Sequence, residues 1–119
     1  IEVYAPLLAG HLAGLERIRS GTKAHEVFEA VVSTVRANGL PNYDRHHVGH
    51  CIGLELYEPP ILNKQEGRPL EAGMVVNVEP PYYEIGLGGF QVEDTVCVTE
   101  DGFECFNQMS KGLIAVRSS

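Results

Sequence analysis

The sequence predicts an α+β fold, two helices packed on one face of a mostly antiparallel sheet. Three observations predict it. Apolar residues recur at helical spacing from Ile1 to Val35; after Pro41 the chain turns to short segments rich in Val, Ile, Tyr and Phe; and Gly, Pro and Asp punctuate those segments.

The first helix rests on Ile1, Tyr4, Leu8, Leu12, Leu15 and Ile18. Its pattern is already running at Ile1, with no Ser, Thr, Asp or Asn to cap the start and no initiator Met, so further sequence is expected upstream. It stops at Ser20-Gly21, with Arg17 and Arg19 near the end where the helix dipole favours positive charge. Thr22 is the expected N-cap of a second helix, whose stripe is Ala24, Val27, Phe28, Val31 and Val35 and whose end is Asn38-Gly39 with Pro41. His11 and His25 lie on these helices without further ligands at metal spacing, and are expected to be structural or exposed.

Strands are expected near 45–57, 74–79, 90–98 and 103–106. Thr99-Glu100-Asp101-Gly102 is a turn that should join the last two as a hairpin. The polar stretch from Pro59 to Pro69 reads as a long loop.

At 119 residues the chain is one domain or part of one. Its formal charge of −7, from 9 basic and 16 acidic residues, argues against a nucleic-acid partner, which needs a clustered basic face. No apolar run reaches bilayer-spanning length and no signal-peptide pattern opens the chain, so no membrane partner is expected. Three cysteines without a paired framework indicate a reduced, cytoplasmic protein. Cys51 stands beside a candidate ligand, but its neighbours are oxygen and imidazole donors rather than thiols, which argues against a thiolate site.

Three polar residues occupy places where apolar strands would favour apolar ones. His50 lies within Arg45-His46-His47-Val48-Gly49-His50-Cys51, Glu79 ends Met74-Val75-Val76-Asn77-Val78, and Glu93 lies within Phe90-Gln91-Val92-Glu93-Asp94. A carboxylate there is costly unless paired, hydrogen-bonded or bound to a cation. Taken singly, each reads more readily as a solvent-facing or locally satisfied side chain; together they leave a metal site open.

The segments His46–Glu58, Leu70–Pro80 and Gln91-Val92-Glu93-Asp94 with its following turn resemble, in order, the motifs of the pita-bread metallopeptidases. That family includes Xaa-Pro dipeptidases, aminopeptidase P and methionine aminopeptidase. The resemblance implies a partial pita-bread fold, with residues 1–119 as the C-terminal part of a catalytic domain whose two aspartate ligands lie upstream. It implies His50, Glu79 and Glu93 as metal ligands, Glu93 bridging two divalent cations (Mn, Co, Zn or Fe). It implies Glu79 as the proton-transferring carboxylate and His46 as a catalytic and substrate-binding histidine. His47 has no counterpart and is taken as structural.

Two departures bear on substrate. Tyr57 stands where proline-cleaving members have a histidine, and could donate a hydrogen bond to substrate but not shuttle a proton near neutral pH; Gln91 stands where arginine is frequent. The function implied is hydrolysis of Xaa-Pro bonds in dipeptides or short peptides, with this chain alone inactive. The alternatives are a small-amide hydrolase or lyase on the same scaffold and a non-catalytic binding module. Homodimers are common in the resembled family, and a truncated sheet would expose an edge for self-association.

Overall fold

The structure, a computed structural model, describes residues 2–118, so the expectation that the first helix is running at Ile1 falls outside the described residues. Two helices, α1 (Tyr4–Arg17) and α2 (Ala24–Ala37), precede seven strands. These are β1 (Gly49–Ile52), β2 (Glu58–Ile61), β3 (Val75–Val78), β4 (Pro81–Glu84), β5 (Gly88–Gln91), β6 (Asp94–Val98) and β7 (Phe103–Cys105). Five of them form one antiparallel sheet in the order β2-β1-β3-β6-β7, and β4 and β5 form a separate hairpin. The α+β class and the helix-on-sheet arrangement are as expected.

The helices meet through α1's glycines. A Cβ on Gly10 would stand 2.3 Å from Val35 Cγ2, and one on Gly14 would stand 2.4 Å from Val31 Cγ2. Absence of those methyls lets α1 lie directly on the α2 valine stripe, where Val27, Val31 and Val35 are fully buried. The sheet supplies the other wall of this core through Val76, Val78 and Val96, also fully buried. Each such valine contributes about 1.5 kcal/mol or more by leaving water.

Several boundaries differ from expectation. Lys23, not Thr22, is the residue at the N-cap of α2, where its backbone N–H donates to Glu26 Oε2 at 2.8 Å. Thr22 instead donates its hydroxyl to Arg17 O at 2.8 Å and closes the end of α1. The expected strand over 45–57 is ordered as strand only at 49–52, and β2 forms inside the expected loop by pairing with β1. The expected strand over 90–98 is two strands, broken at Val92-Glu93, because Phe90 and Gln91 pair with β4 while 94–97 pair with β3. The hairpin of β6 and β7 across Thr99–Gly102 is as expected.

Candidate functional site

The register of the central strands decides which side chains share a face. His50 pairs with Asn77, Asn77 with Thr95, and Val78 with Asp94. Continuing that register one residue past the strand ends sets Glu79 beside Glu93. Alternation then turns His50, Asn77, Glu79, Glu93 and Thr95 to one side, away from the helices, while Val76, Val78, Asp94 and Val96 face inward. The outward set lines one open cavity of about 280 Å³, with Tyr57 on its rim.

Within it, His50 Nε2 lies 3.3 Å from Glu79 Oε1. The His50 Nδ1 contact to Cys51 O, 3.0 Å, must be an N–H donated to a carbonyl, so in the neutral imidazole the lone pair is on Nε2, the nitrogen that faces Glu79. Asn77 donates its amide to Glu79 Oε2 at 2.8 Å and accepts from the Thr95 hydroxyl at 2.9 Å. Gln91 donates to Glu93 Oε2 at 3.0 Å. Burial, then the hydrogen bond and the charge of Glu93, push the Glu79 carboxyl up to about 7. The hydrogen bond from Glu79 holds Glu93 below the usual carboxylate range.

The structure thus brings His50, Glu79 and Glu93 to one cavity, and places Tyr57 with them. Tyr57 stacks on the His50 imidazole at 3.8 Å between ring centroids and 22° between planes. The edge of His47 meets the Tyr57 ring at 5.8 Å. His46 is not brought to this cavity: it is exposed and lines a different one, beside Phe28 and Arg36 of α2. Asn77 and Thr95 escaped the sequence reading because an Asn and a Thr in a valine-rich strand carry no signal until the register is known. A second omission lies on the inner face. His11 and Asp94, 0% and 1% exposed, meet at 2.6 Å.

Among the described residues, no three His, Cys, Asp or Glu side chains stand ready as a cage for a cation. The donor set nevertheless fits a divalent cation in chemistry and direction. An imidazole lone pair and a carboxyl oxygen face each other, an arrangement that is repulsive unless a proton or a cation lies between them, and a second carboxylate adjoins the first. His50, Glu79 and Glu93 are the residues that would hold it. No helix among the described residues is long and apolar enough to cross a membrane.

The sequence profile of metallopeptidase family M24 matches residues 1–100. An Xaa-Pro dipeptidase of Pyrococcus furiosus is 31% identical over 113 residues, which are 95% of this chain and 32% of that protein. Among solved structures, dipeptidase PepE of Mycobacterium ulcerans superposes with a TM-score of 0.87 at 34% identity, over 93% of this chain and 30% of that one. The Xaa-Pro dipeptidase of Bacillus anthracis does so with a TM-score of 0.87 at 36% identity, over 94% and 32%. The fold of the chain is that of the pita-bread peptidases. The chain spans about a third of the length of the relatives it matches.

Proposed function

The chain belongs to metallopeptidase family M24, and on that premise we propose that it supplies part of the cation-dependent site of a peptidase acting on Xaa-Pro bonds in dipeptides or short peptides. The observation that carries this reading is the convergence of His50, Glu79 and Glu93 on one cavity. The bond specificity is supported by the names of the relatives, Xaa-Pro dipeptidases among them.

The complete site would use two divalent cations of the Mn, Co, Zn or Fe kind, with the two remaining ligands, both aspartates, supplied by the upstream part of the catalytic domain of which residues 1–119 are the C-terminal part. Such cations, when bound, supply Lewis-acid polarisation of a scissile carbonyl and an acidified water. The chain's own residues do the rest. His50 offers Nε2 in a tautomer fixed by Cys51 O. Glu93 offers a carboxylate steadied by Gln91. Glu79, oriented by Asn77, accepts a proton from the attacking water and hands it to the leaving amine. The oxyanion role implied for His46 asks its exposed imidazole to turn toward this cavity when a peptide binds. The outer strands β2 and β7 are the edges through which two copies would pair.

A second reading, a hydrolase or lyase of small amides, is favoured by Tyr57, which covers His50 with a phenol ring where the family resemblance implies an imidazole. The test is hydrolysis of Xaa-Pro dipeptides and longer Xaa-Pro peptides by the full-length protein with added Mn²⁺ or Co²⁺. Cation-dependent turnover that disappears in Glu93→Ala is expected. Wild-type turnover in Glu93→Ala would sink the assignment, and inactivity on both peptide classes would move the reading to small amides or to a non-catalytic module.

A further inference from the structure

Directly behind Glu93, on the inner face of the sheet, lies a polar cluster that the proposed chemistry does not use. Asp94 is 1% exposed and His11, from the middle of α1, is 0% exposed; His11 Nε2 and Asp94 Oδ2 are 2.6 Å apart. Asn107 donates its amide to Asp94 Oδ1, Lys111 Nζ lies 3.4 Å from Oδ2, and Cys105 Sγ lies 3.5 Å from Oδ1. One carboxylate therefore ties together α1, the start of β6, the end of β7 and the segment after it. A buried charged group held by polar partners is a weak source of stability, because removing it from water costs about as much as the contacts return. An apolar side chain facing the helices would serve the core as well.

The location supplies a reason for it. β5 ends at Gln91 and β6 begins at Asp94, so Val92 and Glu93 lie in the gap where neither strand's ladder fixes the backbone. Successive side chains in extended chain point to opposite faces, so the direction of Asp94 decides the direction of Glu93. The bond from Gln91 to the Glu93 carboxylate comes from an exposed side chain next to the same gap, and does not anchor the main chain. The anchor is Asp94, whose main chain pairs with Val78 of β3 and whose side chain α1 holds.

We propose that the buried His11–Asp94 pair is a positioning device for Glu93, pinning the 93–94 step to α1 so that the Glu93 carboxylate is presented to the cavity beside Glu79. The inference rests on the reading of Glu93 as a cation-holding carboxylate. His11 and Asp94 touch neither substrate nor cation; they act through the backbone they fix.

Mn²⁺ affinity, read by calorimetric titration of the full-length protein, tests this separately from activity. His11→Leu keeps the helix and removes the donor; affinity should fall tenfold or more, the scale seen when partners behind a ligand are lost, roughly 10–100-fold. His11→Gln keeps an amide N–H that can reach Asp94, and should stay within about threefold of wild type, well short of that range. The proposal is overturned if His11→Leu folds and binds Mn²⁺ as the wild type does, or if His11→Gln loses as much affinity as His11→Leu. Should His11→Leu not fold, His11→Phe, which keeps a ring in the same place and has no donor, carries the same criterion. Glu93→Gln separates the two levels. Unchanged affinity in Glu93→Gln would overturn the cation-site reading itself, whereas reduced affinity there with wild-type affinity in His11→Leu would overturn the positioning role alone.

Discussion

Gly49 precedes the candidate ligand His50 and lies against the central strand of the sheet, so replacing it tests the link between fold and site directly. An added Cβ would stand 2.0 Å from Asn77 O and 2.9 Å from Leu62 Cδ1. The leucine can turn aside, but the carbonyl is backbone and cannot. To restore ordinary contact, β1 and β3 must part by about 1 Å, which strains a core packed like a crystal. The parting weakens the pairing of Gly49 with Val78 and the adjoining bond from Glu79 N–H to Val48 O, 2.8 Å in the native fold. Overpacking costs about 1–3 kcal/mol and each weakened hydrogen bond about 1 kcal/mol, so Gly49→Ala should lose roughly 3 kcal/mol. In urea unfolding that is a midpoint lower by roughly 1–3 M. Gly67→Ala is the control, because nothing lies within 4 Å of its added methyl; it should fall within about 0.5 kcal/mol of wild type. A Gly49→Ala protein as stable as Gly67→Ala would refute the inferred closeness of β1 and β3, and with it the register that sets His50 beside Asn77.

Asn77→Ala should cost about 2 kcal/mol in the same assay, since Asn77 is 5% exposed and its amide joins Glu79 to Thr95. A loss below about 0.5 kcal/mol would mean that this bridge is not formed. Tyr57 is 49% exposed, so Tyr57→Ala should leave the unfolding midpoint nearly unchanged while weakening Mn²⁺ binding to the full-length protein. Stacked aromatic pairs contribute about 0.5–1.5 kcal/mol, a factor of roughly 2 to 10 in affinity, and Tyr57→Phe should restore it. Equal affinity in Tyr57→Ala and wild type would remove Tyr57 from the site. Burial pushes the Cys51 thiol up to about 11, so at pH 8 only about one molecule in a thousand carries the reactive thiolate. Iodoacetamide should therefore spare Cys51 in the folded protein and label it in urea, as peptide mass spectrometry would show; rapid labelling of the folded protein would contradict the buried placement of β1.

Much of this was legible in residue order. The α2 stripe was readable because a helix repeats every 3.6 residues, and five valine, alanine and phenylalanine positions in phase leave few alternatives. His50, Glu79 and Glu93 stood out because charged or imidazole side chains are costly in apolar strands, and their motifs carried the family resemblance. His46 shows where motif reading stops. A match in sequence spacing fixes neither the direction of an exposed side chain nor the cavity it lines, and in the fold it lies on the α2 side. β2 was missed because Glu58-Pro59-Pro60-Ile61 has no alternating pattern; it is a strand by virtue of its partner β1.

The sequence by itself therefore determined the helices, the fold class and the identity of the costly polar residues, because each follows from local periodicity or from a mismatch between a side chain and its neighbours. Only the tertiary structure decided which of those residues meet. The antiparallel register sets Glu79 against Glu93 and Asn77 between His50 and Thr95, and helix docking joins His11 to Asp94 across 83 positions of chain. Contacts of that range depend on strand pairing and packing, and no local pattern in the sequence encodes them.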